Sequence, residues 1–231
     1  MKNLKYINLS FSKNLIRTPD FSGVPILEGL KLSWCCQLVE IHQSIGQLSR
    51  LRYLDLEHCN NLTDLPCMSA VMQSLTVLDL SCCFKISLFP KFTGIMRSLL
   101  ELKLSWTAIE KVEPSSIEFL TALALLDLRH CSRLDCLPSN MDNLKSLKIL
   151  DLDQCSKLKS LPRLPSYVRC IVPEGFSLLN WSPEGFKLSI WSQPLSQWLP
   201  FDESGSQVGF TKLFHLLRVI SALSSLSLSL E

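Results

Sequence analysis

Two pairs of side chains in this sequence have the types and spacing that could carry chemistry. Asp55 and Asp79 stand 24 residues apart, and two carboxylates on neighbouring elements are what a glycoside hydrolase uses. His58 and Cys82 are also 24 residues apart, and such a pair could serve as a base with its nucleophile or as two metal ligands. Either pair works only if the elements that carry its two members lie side by side.

The spacing of both pairs is the period of a repeat that extends over most of the chain. The stretch LDLEHCNNLTDLP, from Leu54 to Pro66, returns 72 residues later as LDLRHCSRLDCLP, from Leu126 to Pro138. The template L-x-x-L-x-L-x-x-C-x-x-L-x-x-L-P describes seven copies at intervals of 23 or 24 residues. The copies begin at Leu4, Leu27, Leu51, Leu75, Leu99, Leu123 and Leu147. So regular a period predicts one structural unit repeated along the chain.

Each copy predicts one short strand and one return segment. The x-x-L-x-L core has a period of two, which places its leucines on one face of a strand of about five residues. Such a strand cannot bury that face alone, so successive copies must stack. The return segments HQSIGQLSR, TGIMRS, SSIEFLTA and SNMDNLKS begin near Ser, Thr or Asn and suit single helical turns. The sequence therefore predicts an α/β solenoid, a leucine-rich-repeat horseshoe with a parallel concave β-sheet and short helical or 3-10 convex turns.

The repeat also divides the chain. We expect the solenoid to occupy residues 1–162, as seven repeats of about 24 residues. Beyond this range the pattern fails, and residues 163–231 are expected to form a degenerate last repeat, a cap or a poorly ordered C-terminal tail. Leu164 and Tyr167 stand at strand-like positions of an incomplete eighth copy. Because no polar capping segment precedes Leu4, we expect the chain to be a piece of a longer protein.

Cysteine recurs at one position of the repeat. Five of the ten cysteines share it, and Ser12 and Thr107 fill it in the other two copies. The five are Cys35, Cys59, Cys83, Cys131 and Cys155. All three residue types are small and carry a donor for a carbonyl of the adjacent coil, so we expect a ladder of buried, reduced thiols. Reduced thiols, together with an N-terminus unlike a signal peptide, favour the cytoplasm or the nucleus over secretion.

Composition narrows the classes of partner. Hydrophobic residues make up 47% and charged residues 19% of the chain, as in a globular protein with a large core. The net charge is only +2 and Lys and Arg form no cluster, so nucleic acid is not expected as a partner. The apolar stretch 210–231 is interrupted by Lys212 and Arg218, so we do not expect it to span a membrane.

Two columns of x positions form the candidate site. The first lies within the strands and includes Lys31, Asp55, Asp79, Lys103, Asp127 and Asp151. The second lies near the strand ends and includes Phe11, Trp34, His58, Trp106 and His130, with Cys82 and Gln154 at the same position. Alternation along a strand predicts that both columns point out of the concave face. Tryptophan and other aromatic side chains are enriched where proteins bind one another, so we expect a protein-binding surface.

This surface suits catalysis poorly. The first aspartate pair recurs as Asp127 and Asp151, so it follows from the repeat and predicts a solvated acidic stripe. An open sheet is expected to offer no desolvated pocket that could raise the pKa of one carboxyl. His58 and Cys82 supply two metal ligands where three or four are needed. We therefore expect no catalytic residues, no metal and no cofactor, with a hydrolase that uses the aspartate pairs as an alternative.

The repeats resemble those of one family. LKYINLSFSKNLIRTPDFSGVPILEGLKL and LLELKLSWTAIEKVEPSSIEFLTALALLDLRHCSRLDCLP are similar to the leucine-rich region of plant intracellular immune receptors of the Toll/interleukin-receptor, nucleotide-binding class. The resemblance covers residues 2–165. It implies a non-enzymatic sensing and autoinhibitory module in defence signalling. The partner it implies is a pathogen effector, a guarded host protein or a nucleotide-binding domain of the same receptor.

The chain departs from a whole receptor of that class. It contains no G-x-x-x-x-G-K-[ST] phosphate loop, so we do not expect the nucleotide switch of the family within it. Its length leaves no room for a Toll-like domain, so the family's NAD-cleaving activity is not carried over. A leucine-rich-repeat substrate adaptor of a ubiquitin ligase is the alternative in the binding class, although no F-box-like helical segment precedes Leu4.

Overall fold

The described residues, 3–171 in the computed structural model, form a stack of coils around one parallel sheet. The sheet has eight strands, and each strand lies beside its neighbours in sequence. The strands are β1 (Tyr6–Asn8), β2 (Gly29–Lys31), β3 (Tyr53–Asp55), β4 (Val77–Asp79), β5 (Glu101–Lys103), β6 (Leu125–Asp127), β7 (Ile149–Asp151) and β8 (Arg169–Ile171). The predicted leucine-rich-repeat solenoid is confirmed.

The register of the sheet follows the repeat. Leu30 pairs with Leu54, Leu54 pairs with Leu78, and the same position continues to Leu150. These leucines are fully buried, as are those two positions further on, such as Leu56. Each buried leucine side chain contributes about 2 kcal/mol of hydrophobic free energy. Because one period advances the chain by one strand, residues at the same repeat position form rows across the molecule.

The cysteine ladder is confirmed. The Cys59 thiol donates to the carbonyl of Leu32 at 3.2 Å, one coil back. The same bond is made by the thiols of Cys35, Cys83, Cys131 and Cys155. All ten cysteines are free thiols, and the five of the ladder are buried. Burial raises the pKa of Cys59 and Cys155 to about 12, so these thiols stay protonated near neutral pH.

Three of the four predicted helical return segments form. They are a 3-10 turn at Gln43–Gln47, the helix α1 at Pro114–Glu118 and a 3-10 turn at Ser139–Asn143. Their caps differ from the prediction of a Ser, Thr or Asn start. The first begins at His42, whose Nδ1 accepts the N–H of Ser44, and α1 begins with proline at its first position.

The fourth segment, 93–98, is not helical, and the prediction of a helical turn there was wrong. Its backbone forms hydrogen bonds with the neighbouring coils. Phe92 forms a parallel bridge with Met68, and the N–H of Thr93 donates to the Met68 carbonyl at 3.1 Å. The N–H of Met96, which a turn of helix would direct back to the carbonyl of Thr93, donates instead to the Phe119 carbonyl in the next coil at 2.7 Å.

The incomplete eighth copy contributes β8. Cys170 pairs with Leu150 and so takes the place of a leucine in the buried row. Leu164 and Val168 are buried, whereas Tyr167 is exposed and β8 begins two residues after it. The strand-like positions predicted at Leu164 and Tyr167 were therefore wrong, because the copy is shortened and its row leucine is replaced. The cap or tail expected in the rest of 163–231 lies outside the described residues, as does the apolar stretch 210–231.

Candidate functional site

In most repeats the residue that ends the strand also stabilises the turn that follows. In five repeats its side-chain oxygen accepts the N–H two residues further on, at 3.0 or 3.1 Å. The acceptors are Asn8, Asp55, Asp79, Asp127 and Asp151. This Asx turn is a local mimic of a backbone turn that Asp and Asn make readily. Lys31 and Lys103 hold the position in the remaining two repeats, where no such acceptor exists.

The aspartates of this row are not the solvated stripe that the sequence predicted. Asp55 is 8% exposed and Asp127 is 6% exposed, because strands about 4.8 Å apart cover short side chains on both sides. Burial raises the pKa of Asp55, and it raises the pKa of Asp151 to about 6. The expectation that an open sheet could not raise a carboxyl pKa was therefore wrong.

Two cations neutralise part of this acidic row. The Arg129 guanidinium donates to both carboxylate oxygens of Asp127, at 2.9 and 2.7 Å, and lies 3.6 Å from Asp151. The ammonium of Lys103 lies 3.7 Å from Asp79 and 3.3 Å from Glu101. Bidentate pairing of the first kind is the stronger of the two.

Sequence reasoning missed Arg129 and Glu57. Both stand two residues beyond the strand end, in a row that also contains Ser10, Ser33, Ser81, Ser105 and Asp153. Continuing the two-residue alternation past the strand would have found the row, because these residues follow the strand-end row by two. Lys31 stays exposed, and its ammonium lies 5.8 Å from the centre of the Tyr53 ring. The concave surface therefore combines paired charges with the exposed Lys31.

The aromatic column lies beyond the strands, three residues after each strand end, and we call it the rim. Its members, all with φ between 57° and 63°, are Phe11, Trp34, His58, Cys82, Trp106, His130 and Gln154. A left-handed backbone costs a residue other than glycine roughly 1–2 kcal/mol. The cost is met by a ladder of hydrogen bonds: the N–H of Trp34 donates to the Glu57 carbonyl at 2.8 Å, and the other rim residues from 11 to 130 repeat the bond.

The rings of the rim stack in two groups. Trp34 stacks on His58 with a centroid distance of 3.8 Å, and Phe11 lies 6.1 Å from Trp34 on its other side. Trp106 stacks on His130 at 3.9 Å. Trp34 is still 41% exposed and Trp106 is 47% exposed. Stacking therefore orders the rings while their edges remain open to solvent.

An open groove of about 370 Å³ runs beside the second stack. It is lined by aromatic, basic and polar side chains, among them Phe84, Trp106, His130, Arg133 and Gln154. Phe84 is itself half exposed. The eleven residues predicted for the site thus fall into two neighbouring rows, strand end and rim, and the rim adds this groove. Such a mixture of rings and polar groups can bury part of a partner's surface.

The geometry disfavours the pair of His58 and Cys82 as a catalytic dyad. The imidazole is stacked on Trp34, and burial together with the nearby Glu57 carboxylate raises the pKa of the Cys82 thiol. A raised pKa opposes the thiolate that a nucleophile requires. Within residues 3–171, no three His, Cys, Asp or Glu side chains come together as a metal site would need. In the same range, no helix is long and apolar enough to cross a bilayer.

Comparison with known proteins gives a consistent set of relatives. The chain is 44% identical to TMV resistance protein N of Nicotiana glutinosa over 68 residues, 29% of this chain and 6% of that protein. It is 46% identical to disease resistance protein RML1B of Arabidopsis thaliana over 61 residues, 26% of this chain and 6% of that protein. For disease resistance protein RPV1 of Vitis rotundifolia the identity is 42% over 50 residues, 22% of this chain and 4% of that protein.

Comparison with solved structures returns leucine-rich-repeat proteins. The leucine-rich repeat domain of the type III effector XopL has a TM-score of 0.47 and 22% identity, over 73% of this chain and 76% of that one. A Leptospira interrogans leucine-rich-repeat protein has a TM-score of 0.36 and 21% identity, over 74% of this chain and 55% of that one. The fold itself is established by the eight-stranded parallel sheet and the period of 23 or 24 residues.

No protein-family model matches the chain. The chain spans only 4–6% of the length of the three disease-resistance proteins described above, so the activities of those whole proteins are not transferred to it by similarity. The similarity and the fold together identify the repeats as leucine-rich repeats. The repeats of this chain are therefore similar to those of plant disease-resistance proteins of the class with Toll/interleukin-receptor and nucleotide-binding domains.

Proposed function

We propose that this chain is the non-enzymatic recognition module of a plant innate immune receptor. Its partner is a protein: a pathogen effector, a guarded host protein, or the nucleotide-binding domain of the same receptor, which it holds inactive. The module acts in the cytoplasm or the nucleus, which the ladder of reduced thiols supports.

One observation carries the proposal, namely the exposed stacked rings of the rim. Trp34 and Trp106 keep close to half of their surface in water although each could be replaced by a smaller residue without opening the core. Tryptophan is one of the residues that are enriched at the energetic centre of protein interfaces. The rings are also held in place by stacking and by a fixed backbone, so little side-chain entropy is lost on binding.

The charged rows beside the rim support the same function. The bidentate pair of Arg129 and Asp127 and the pair of Lys103 and Asp79 leave a patterned surface rather than a uniform charge. Patterns of this kind select among partners and fix their orientation more than they raise affinity. We therefore assign affinity for the partner mainly to the rim, and selectivity among partners mainly to the charged side chains at the strand ends and two residues beyond them.

The double substitution Trp34→Ala with Trp106→Ala tests the proposal. Loss of stacking should lower the free energy of unfolding by about 0.5–1.5 kcal/mol per ring pair, which leaves the chain folded. Binding to a co-expressed nucleotide-binding domain of a plant disease-resistance protein, or to a cognate effector, should weaken roughly 30-fold, as for loss of an interface hot spot. The readouts are thermal unfolding and the dissociation constant.

A matched control lies on the convex side. Gln47 and Arg97 are exposed there, and Gln47→Ala with Arg97→Ala should change neither folding nor binding. If the convex pair weakens binding while the tryptophan pair leaves it intact, the recognition surface is on the other side of the solenoid. If the tryptophan pair unfolds the chain, the rings are needed for the core rather than for a partner.

A further inference from the structure

The rim has a gap between its two ring stacks. The first stack ends at His58, the second begins at Trp106, and Cys82 holds the position between them. With repeats about 4.8 Å apart, the facing rings are separated by roughly 10 Å. Stacked rings in this rim lie 3.8 or 3.9 Å apart, so one planar group fits between His58 and Trp106. The short, partly exposed side chain of Cys82 does not fill the space.

The surroundings of this gap carry negative charge. Burial raises the pKa of the Cys82 thiol, and the carboxylates of Glu57 and Asp79 raise it further. The Glu57 carboxylate lies 3.8 Å from the His58 imidazole. Burial, and then the charge of Asp79, raise the pKa of Glu57. A carboxylate in this state is stabilised by a cation brought close to it.

Two cations of the concave rows, Arg129 and Lys103, are held mainly by other carboxylates. Arg129 is near enough to oppose the rise of the Cys82 pKa, but its guanidinium is bound by Asp127 and lies 3.6 Å from Asp151. The ammonium of Lys103 lies 3.7 Å from Asp79 and 3.3 Å from Glu101, and its charge only partly opposes the rise in the pKa of Glu57. The position above Cys82 is therefore bounded by two aromatic faces and lies beside a carboxylate that an incoming cation would stabilise.

A guanidinium meets both conditions, because it is planar, stacks on aromatic faces and pairs with carboxylates. An ammonium would pair with Glu57 but cannot stack, and a neutral ring would stack but leave the carboxylate unchanged. We infer that the gap between His58 and Trp106 accepts the guanidinium of an arginine that a protein partner supplies. The inference rests on the proposed function and names one residue of the partner.

Short peptides test the gap without a known partner. The probes are blocked pentapeptides Gly-Lys-X-Lys-Gly in which X is arginine, lysine or phenylalanine, so the first two carry the same charge. Binding to the full chain is measured by tryptophan fluorescence and by NMR titration. The arginine peptide should bind about fivefold more tightly than the lysine peptide, because only arginine gains the stacking contribution.

Variants of the gap separate stacking from charge. Cys82→Trp should fold, since tryptophan occupies the same rim position in two other repeats, and it should abolish the preference for arginine by filling the space. Cys136→Trp, at an exposed position outside the rim, is the matched control and should keep the preference. Glu57→Gln should weaken the arginine peptide severalfold while leaving the ring stacks intact.

Several outcomes would overturn the arginine assignment. They are equal affinity for the arginine and lysine peptides, tightest binding of the phenylalanine peptide, no binding of any peptide at millimolar concentration, and a preference that survives Cys82→Trp. The result is independent of the partner test. If the chain prefers the arginine peptide but partner binding is unchanged by Trp34→Ala with Trp106→Ala, only the proposed function is contradicted. If the tryptophan substitutions weaken partner binding but the chain does not prefer the arginine peptide, only the arginine site is contradicted.

Discussion

Aspartate ends four of the eight strands because its side chain can accept the N–H two residues further on. Asn8 makes the same bond in the first repeat without a charge. The turn therefore needs the oxygen and not the negative charge. At Asp151 the charge is unfavourable, since burial raises the pKa of this carboxyl from 3.8 to about 6.

We predict that Asp151→Asn stabilises the chain in a pH-dependent way. An acid whose pKa is higher in the folded state than in the unfolded state binds more protons when folded, so the free energy of unfolding of the natural sequence falls as pH rises from about 4 to about 6. The asparagine variant lacks this fall. It should exceed the natural sequence by up to about 3 kcal/mol at pH 8 and by little at pH 4, measured by urea unfolding.

Asp151→Ala serves as the control, because it removes both the charge and the acceptor for the N–H of Asp153. It should gain less than the asparagine variant at pH 8 and should be destabilised at pH 4. A stability difference between Asp151→Asn and the natural sequence that does not change with pH would show that the carboxyl titrates normally in the folded chain.

The period was enough to predict which leucines and cysteines are buried, because those positions are filled by the same residue types in copy after copy. It also placed the rim residues in one column, but it was not enough to predict their backbone conformation. A left-handed residue is recognised in sequence by glycine or asparagine, and none of the seven rim residues is either. Their conformation is imposed by hydrogen bonds to the next coil, which no local pattern records.

Among the elements, the return segments were the least predictable. A Ser or Thr start with apolar residues after it occurs in all four, yet 93–98 bonds to the coil containing Met68 instead of forming a turn of helix. Whether a return segment forms a turn of helix depends on whether the backbone of the neighbouring coil lies close enough to bond with it. In this case Gly94 lets the two coils approach, since a Cβ built on it would lie 2.3 Å from the Cβ of Ala70.

We predict that Gly94→Ala destabilises the chain. The added methyl group must push apart two coils that are held by backbone hydrogen bonds, so the free energy of unfolding should fall by about 1–3 kcal/mol. Gly23→Ala is a matched control, because a Cβ there would have open space around it. The control should be neutral or slightly stabilising in the same urea titration. Equal effects of the two substitutions would mean that the coils around 94 are not in close contact.

At the scale of the whole molecule, the architecture was predictable because each coil contacts its neighbours at one fixed register. The pairs from Gly29 to Asp151 repeat without a shift. Such a molecule behaves as a one-dimensional stack, in which stability is a sum over coils and their interfaces. The position of the eighth strand was not predicted, because its copy is shorter and has Cys170 in place of the leucine of the buried row.

Because the coils are equivalent, we predict that the chain still folds when one whole coil is deleted, but not when half of a coil is deleted. Deletion of residues 75–98 joins two coils at equivalent leucines, so the chain should fold cooperatively with a denaturant dependence smaller by roughly an eighth. It also places Trp106 directly after His58 in the rim, which should join the two ring stacks and alter the near-ultraviolet circular dichroism. Deletion of residues 75–86 sets strand positions against turn positions and should leave the chain unfolded, because a register shift exposes buried rows. If both deletions fold equally well, or if the whole-coil deletion leaves the ring signal unchanged, the rim does not follow the period of the sheet.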